Sequence, residues 1–155
     1  MRLKFIFVGR TRSPYLAAGI DDYLKRIQGY LPAETVVTKG FKAKPGQPKR
    51  VILEETKQLM ALVKPDEVFV YLDPIGREMT SLELAGWLQD HVDRGTRNLA
   101  FGLGGPLGLA PPAAERADLR LCLSRLTLTH EMSRLVLLEQ IYRALRINAG
   151  HPYHK

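Results

Sequence analysis

Glycine residues dominate the segment 101–109, which directly follows an apolar stretch of the chain. Four of its nine residues are glycines, at positions 102, 104, 105 and 108. Glycine lets a ligand approach the main chain closely, and Pro106 stiffens the turn. This composition is typical of a ligand-binding loop, although such turns are also common as purely structural features.

The spacing of these glycines excludes two familiar phosphate-binding loops. A dinucleotide fingerprint needs glycines at its first, third and sixth positions, but the sixth position counted from Gly102 is Leu107. No acidic residue stands near twenty residues further on, where a ribose would require one. The chain also lacks the Gly-Lys-Ser or Gly-Lys-Thr of a P-loop. The loop is better suited to a compact ligand held by main-chain groups.

A second polar segment lies at 126–134, where the last predicted helix begins. Threonine hydroxyls and free main-chain amides are expected to gather there, as at any helix start. His130 and Glu131 could form a base with an orienting carboxylate. Adjacent residues of a helix point apart, however, so we expect this pair to cap and pack rather than to catalyse.

The third segment is the tail, 148–155. Two histidines, a tyrosine and a lysine fall within its last five residues: His151, Tyr153, His154 and Lys155. They offer donors, acceptors and a stacking ring, but terminal residues also fray, so a functional and an inert tail both stay open. The histidines have no cysteine or carboxylate nearby, and we predict no metal site.

The charge of the chain favours a polyanionic partner. The net charge is +7 and the pI is about 9.7. No acidic residue occurs from Thr35 to Leu53, while five basic residues do. Neutralising phosphates releases counterions, so this stretch is either a solvated loop or an RNA-binding arm. The candidate RNA-binding residues are Lys39, Lys42, Lys44, Lys49 and Arg50.

Strand and helix signals alternate along the 155 residues, which we interpret as a single domain, 1–155. Strands are predicted at 3–8, 34–38, 68–72, 98–101 and 119–123. Helices are predicted after Ser13-Pro14, around 52–63, after the capping box 80–83, at 111–117 and at 131–147. The alternation predicts an α/β fold with a mainly parallel sheet flanked by helices on both faces, and a ligand at the carboxyl ends of the strands.

No targeting or membrane segment is predicted. The apolar stretch near the N-terminus is short and charged, unlike a signal peptide, and no run approaches the ~18 apolar residues of a membrane span. Cys122 is the single cysteine, which excludes an intramolecular disulfide. These features favour a cytoplasmic protein.

The last predicted helix is apolar around most of its circumference. Its apolar residues include Leu135, Leu138, Ile141 and Leu145. A helix of this kind must be covered on two sides. Either it lies deep in the core, or it is shared between the sheet and a twofold-related subunit.

These segments, in this order, resemble the RlmH family of ribosomal large-subunit pseudouridine N3-methyltransferases, in the SPOUT (alpha/beta-knot) superfamily. The resemblance covers essentially the whole chain. The matching stretches are Tyr71-Leu72-Asp73, Gly104-Gly105-Pro106-Leu107-Gly108-Leu109, Leu123-Ser124 with Leu126-Thr127-Leu128-Thr129-His130, and Tyr142-Arg143-Ala144 with His151-Pro152-Tyr153-His154. Two positions depart from the family, which usually carries glutamate where this chain has Leu107 and proline where it has Thr129.

The resemblance implies a C-terminal trefoil knot, a homodimer and S-adenosyl-L-methionine as cofactor. The residues implied to line the cofactor are Leu72, Gly104, Gly105, Ser124, Arg125, Leu126, Thr127, Leu128 and Thr129. It further implies that Tyr153 and His154 reach the catalytic pocket, with His154 accepting the proton of the base or orienting it. The partner implied is ribosomal RNA, in the large subunit or the whole ribosome.

Two alternatives stay open at this point. The same scaffold could methylate another RNA nucleotide, or it could serve as a non-catalytic ribosome assembly or binding factor. A nucleotide hydrolase is disfavoured, because the chain has no phosphate-binding motif.

Overall fold

The computed structural model describes residues 1–41 and 47–150. Strands and helices alternate throughout this part of the chain. The elements are β1 (Arg2–Val8), α1 (Pro14–Gln28), β2 (Ala33–Thr38), α2 (Pro48–Met60), β3 (Val68–Glu78), α3 (Ser81–Asp93), β4 (Asn98–Leu103), α4 (Pro111–Arg116), β5 (Leu119–Cys122) and α5 (His130–Asn148).

The five strands form one parallel sheet in the order β2-β1-β4-β3-β5. Helices α1, α3 and α5 pack together on one face, around Phe5 and Phe101. Helix α2 covers the other face, where Leu59 packs against Ile6 and Phe69. Successive side chains of β1 therefore enter opposite halves of the core, as expected for a strand buried on both faces. The α/β prediction is confirmed.

Local signals placed the starts of α1 and α3 correctly, whereas α2 begins at Pro48, earlier than the predicted 52. Helix α1 begins at Pro14 with Ser13 as its N-cap residue. Before α3, the amide of Glu83 donates to Thr80 Oγ1 at 3.2 Å, and the amide of Thr80 donates to Glu83 Oε2 at 2.7 Å. The predicted capping box is thus present, and it satisfies two amides that the helix leaves without partners. The apolar spacing of Leu84, Ala85, Leu88 and Val92 predicts that all four face the core, but Val92 is 40% exposed in the last turn of α3.

Strand β3 is longer than the sequence predicts. Asp73-Pro74 indicates the end of a strand, yet β3 resumes pairing with β5 and continues to Glu78. The register shifts between Leu72 and Arg77, so Pro74 lies in the irregular stretch. Because proline has no N–H to donate, this is a position where it costs no ladder hydrogen bond.

The apolar circumference of α5 is explained within one chain. Helices α1 and α3 both pack on α5, and each of its apolar side chains is at least partly buried. The core interpretation of this helix is therefore sufficient, and the homodimer rests on other features. No helix of the described residues is long and apolar enough to cross a membrane.

Candidate active site

A cavity of about 450 Å³ opens at the carboxyl ends of β3, β4 and β5. Its walls come from the middle of β3 (71–74), the turn after β4 (103–106 and Gly108) and the continuous segment 121–130. Parallel α/β sheets bind ligands at this edge, and the volume falls within the range of about 300–1,000 Å³ of small-molecule sites. The glycine turn and the start of the last helix, far apart in sequence, therefore form one concave site.

The glycine turn is closed tightly on itself. The amide of Gly108 donates to the carbonyl oxygen of Gly105 at 3.0 Å, and Gly108 has a φ of 75°, in the left-handed region that favours glycine. A Cβ on Gly104 would lie 2.9 Å from the carbonyl carbon of Gly108, and a Cβ on Gly105 would lie 2.9 Å from Glu55 Oε2. Glycine is required at position 104, where main-chain atoms occupy the space of a side chain, whereas a side chain at position 105 would displace the carboxylate of Glu55.

Leu107 stands at the exposed tip of this turn. Its side chain is 44% exposed and does not line the cavity. Its difference from the family's usual glutamate therefore changes the rim of the site and leaves the described walls of the cavity intact.

The segment 124–129 lines the cavity along its whole length. Ser124 Oγ accepts from the amide of Leu126 at 3.0 Å, and Cys122 Sγ donates to the carbonyl of Ser124 at 3.2 Å. Among the described residues, the amides of Thr127 and Leu128 donate to no other group. Unpaired main-chain amides beside a cavity can read the polar edge of a ligand.

All nine residues predicted to bind the cofactor line this one cavity. They are Leu72, Gly104, Gly105, Ser124, Arg125, Leu126, Thr127, Leu128 and Thr129. Thr129 also caps α5, because its Oγ1 accepts from the amide of Met132 at 3.2 Å. Threonine thus performs the capping at this position, where the family usually has proline.

His130 lies in the wall of the cavity, a position that was not predicted for it from the sequence. Its ring lines the cavity, and burial, followed by the nearby Arg134, lowers its pKa. Neutral imidazole is therefore favoured at neutral pH. Oε1 of Glu131 lies 4.0 Å from Nε2 of His130. However, the two carboxylate oxygens of Glu131 accept hydrogen bonds from the amides of Arg12 and Ser13 at 3.0 and 3.1 Å. Those hydrogen bonds lower the pKa of Glu131. Glu131 thus holds the loop before α1, and the predicted capping and packing role fits it.

Asp73 is a lining residue that the sequence did not mark as functional. Its side chain is buried, and Oδ2 accepts from Arg120 Nε at 2.8 Å while Oδ1 accepts from the amide of Ile75 at 3.1 Å. The signals for it were its place at a predicted strand end and its position in the matching stretch Tyr71-Leu72-Asp73. The pair fixes the wall beside the cavity and leaves little free acceptor capacity there.

The basic residues divide into three groups. Lys39 follows β2 and is exposed. Lys49 and Arg50, predicted in a loop, instead lie exposed in the first turn of α2, because Pro48 starts that helix. Lys42 and Lys44 lie outside the described residues, as do the predicted catalytic residues Tyr153 and His154. No cluster of three potential metal ligands exists in residues 1–41 and 47–150.

Comparison with known proteins points to one family. A family model described as "Predicted SPOUT methyltransferase" matches residues 1–154. A ribosomal RNA large subunit methyltransferase H from Solidesulfovibrio magneticus is 41% identical, with 98% of this chain and 97% of the relative covered. The protein of the same name from Desulfotalea psychrophila is 40% identical, with both chains covered completely.

Structural comparison agrees on the fold. A crystal structure described as a "Probable Methyltransferase" from Bordetella pertussis Tohama I superposes with a TM-score of 0.57 and 16% identity, covering 93% of this chain and 94% of that one. The match over residues 1–154 and the full-length relatives at about 40% identity show that this chain belongs to the SPOUT methyltransferase family, among the ribosomal RNA large subunit methyltransferases H.

Proposed function

We propose that this protein transfers a methyl group from S-adenosyl-L-methionine to ring N3 of a pseudouridine in 23S ribosomal RNA. The observation that carries the proposal is the convergence of the glycine turn and segment 124–129 on one cavity, in a chain whose full-length relatives are named large subunit methyltransferases. The cytoplasm, where ribosomes are found, is the proposed location.

The lining residues of the cavity fit the chemistry of the proposed cofactor. Gly104 and Gly105 bring bare main chain to one wall, Leu72 supplies an apolar surface, and the amides of Thr127 and Leu128 are available to a nucleobase edge. Apolar walls with a few convergent polar groups are typical of cofactor sites. Bound S-adenosylmethionine supplies a methyl group made electrophilic by its sulfonium.

The protein has two tasks in such a transfer. It must hold the base nitrogen in line with the methyl group, which lowers the barrier mainly through orientation. It must also accept the N3 proton, directly or through water. We assign the role of proton acceptor to His154, and we expect Tyr153 to stack on the base or to form a hydrogen bond with it. Within the described residues, the neutral His130 is the alternative acceptor.

A pair of histidine variants separates these acceptors. Loss of a general base lowers the rate by about 10²- to 10⁴-fold. We expect that loss in kcat for His154→Ala at saturating ribosomes, with unchanged cofactor affinity by calorimetry. His151→Ala in the same tail is the matched control. Full activity of His154→Ala together with loss in His130→Gln would move the role to His130.

We also propose that the protein acts as a homodimer. Four exposed apolar side chains surround the carboxyl edge of the sheet: Tyr15, Ile75, Leu82 and Leu126. Ile75 and Leu126, 82% and 78% exposed, belong to segments that line or adjoin the cavity. Apolar rims of this kind mark association surfaces. Sedimentation of Leu126→Asp should show a shift toward monomer, and an unchanged dimer would exclude Leu126 from the interface.

The function itself is tested by mapping the product. Ribosomes from a strain lacking this protein should gain one methyl group on a large-subunit pseudouridine when incubated with the protein and S-adenosylmethionine, as read by mass spectrometry of rRNA fragments. Methylation of another nucleotide would establish the alternative substrate. Absence of cofactor binding at millimolar concentration would instead favour an assembly factor.

A further inference from the structure

A second cavity, of about 940 Å³, lies beside the first at the carboxyl ends of β1 and β2. It is lined by the loop after β1 (8–12), the end of β2 and the residues after it (37–41), and Glu55. Pro106 and His130 line both cavities, so the two sites share a wall. A ligand in the second cavity therefore lies next to the proposed methyl donor.

The loop after β1 is held in place by the first turns of α5. Glu131 accepts from the amides of Arg12 and Ser13. The buried Arg134 donates to the carbonyl oxygen of Val8 at 2.6 Å and to Thr11 Oγ1 at 2.9 Å. These long-range hydrogen bonds fix the backbone that carries Arg10 and Arg12, while both arginine side chains stay exposed.

The charges around this cavity favour an anion. Arg10, Arg12 and Lys39 line it, and within the described residues neither arginine side chain forms an ion pair. Of the two lining carboxylates, Glu131 is ionised, but both of its oxygens accept from main-chain amides of the loop, and the three cations outnumber it. Glu55 is 2% exposed, and its Oε1 accepts from the amide of Phe41 at 3.0 Å. Burial raises the pKa of Glu55, which disfavours a full negative charge there.

We propose that the second cavity binds the RNA phosphodiester backbone next to the nucleotide that is methylated, with Arg10 and Arg12 contacting the phosphates and Lys39 contributing from the opposite side. This inference rests on the proposed function, because it identifies where the substrate of that reaction lies. Guanidinium groups suit the role, since their planar donors match two phosphate oxygens at once. The shared wall at Pro106 and His130 brings the adjoining nucleotide to the cofactor cavity.

The test compares two double variants with the same change in charge. Arg10→Gln/Arg12→Gln removes the proposed contacts. Arg94→Gln/Arg97→Gln removes two exposed arginines just before β4, at the opposite edge of the sheet. Binding to purified ribosomes lacking the modification is measured between 50 and 300 mM KCl at fixed magnesium. The KM for ribosomes and the affinity for S-adenosylmethionine are measured in parallel.

We expect the Arg10/Arg12 variant to reduce the slope of log affinity against log salt concentration by roughly 1.5–2 in magnitude. This corresponds to about one unit of slope for each lost phosphate contact. Its KM should rise while its cofactor affinity stays at the wild-type value. The Arg94/Arg97 variant should keep both the wild-type slope and the wild-type KM.

Three results would overturn the assignment. The first is a wild-type slope in the Arg10/Arg12 variant, and the second is an equal flattening in both variants, which would indicate a general charge effect. The third is a parallel loss of cofactor affinity, which would place the arginines in the other site. A wild-type protein that binds ribosomes with the expected salt dependence but binds no S-adenosylmethionine would instead refute the proposed function while leaving the phosphate site intact.

Discussion

The two cavities at the carboxyl edge of the sheet are built by different means. The one over β4, β3 and β5 is walled by main chain and mostly apolar side chains from three short segments of the chain. The one over β1 and β2 presents exposed cations on a loop that α5 holds from the other end of the chain. The first cavity suits a compact ligand whose polar edge is bound by main-chain groups, and the second suits a phosphate backbone. One edge of the sheet can therefore hold the methyl donor and the RNA that accepts the methyl group side by side.

The largest expected effect on binding comes from filling the glycine turn. In Gly104→Val the added side chain meets the carbonyl carbon of Gly108, where a Cβ alone would lie at 2.9 Å. Overpacking of this kind costs about 1–3 kcal/mol, and each 1.4 kcal/mol is a tenfold change in affinity. We expect cofactor affinity to fall by about fivefold or more, as measured by calorimetry. Ribosome binding, which depends on the other cavity, should change much less.

Gly86→Ala is the matched control for that variant. Nothing lies within 4 Å of a Cβ at this position in α3. Alanine is favoured over glycine in helices by up to about 1 kcal/mol, so the thermal midpoint should rise slightly and cofactor affinity should not move. Equal cofactor binding by Gly104→Val and Gly86→Ala would show that the turn does not form the cofactor site.

Arg134→Met should weaken the cationic region. The substitution keeps an apolar stem but leaves the carbonyl of Val8 and the hydroxyl of Thr11 without their donor. An unsatisfied buried polar group costs about 1–3 kcal/mol, and we expect denaturant unfolding to show a loss of that size. Ribosome affinity should fall more than cofactor affinity. An equal fall in both would mean that the two cavities are not mechanically separate.

Neutralising the lysines of the basic stretch between β2 and α2 is expected to have a smaller effect, which is limited to RNA binding. Lys42→Gln/Lys44→Gln/Lys49→Gln should weaken ribosome binding and flatten its salt dependence by up to about one per phosphate contact, with unchanged cofactor affinity. Salt-dependent binding assays check the outcome. An unaltered slope would indicate that these lysines are only solvated.

The smallest effect concerns pH. The pKa of His130 is lowered from its usual 6.5, first by burial and then by Arg134, so the unfolded chain binds a proton at a higher pH than the native protein. Stability is therefore fully present above pH 6.5 and falls as the pH drops toward the native pKa. His91 contributes in the same direction. Between pH 7.5 and 5.5, the stability of His130→Gln should depend less steeply on pH than that of the wild type, and an identical slope would contradict the shift.

Local signals in the sequence predicted much of the fold and marked the glycine turn as a ligand-binding loop, while the residues that line the first cavity were implied by the family resemblance. Contiguous features such as the capping box at Thr80 and the glycine turn act over a few residues, so their consequences can be read directly. The second cavity could not be predicted in this way. Glu131 and the amide of Arg12 meet across 119 residues, and only the folded chain brings them together. Helix α5 was ambiguous for a related reason, because an apolar pattern does not say which element will cover it.

A structure of the protein with S-adenosylmethionine bound is the most direct test of the account. We predict that the cofactor lies in the cavity over β4, β3 and β5, with polar atoms within hydrogen-bonding distance of the main chain of Gly104, Gly105 and segment 124–129, and with its methyl group facing His130 and the second cavity. A cofactor located over β1 and β2, among Arg10, Arg12 and Lys39, would contradict the division of the sheet edge into a donor site and an acceptor site.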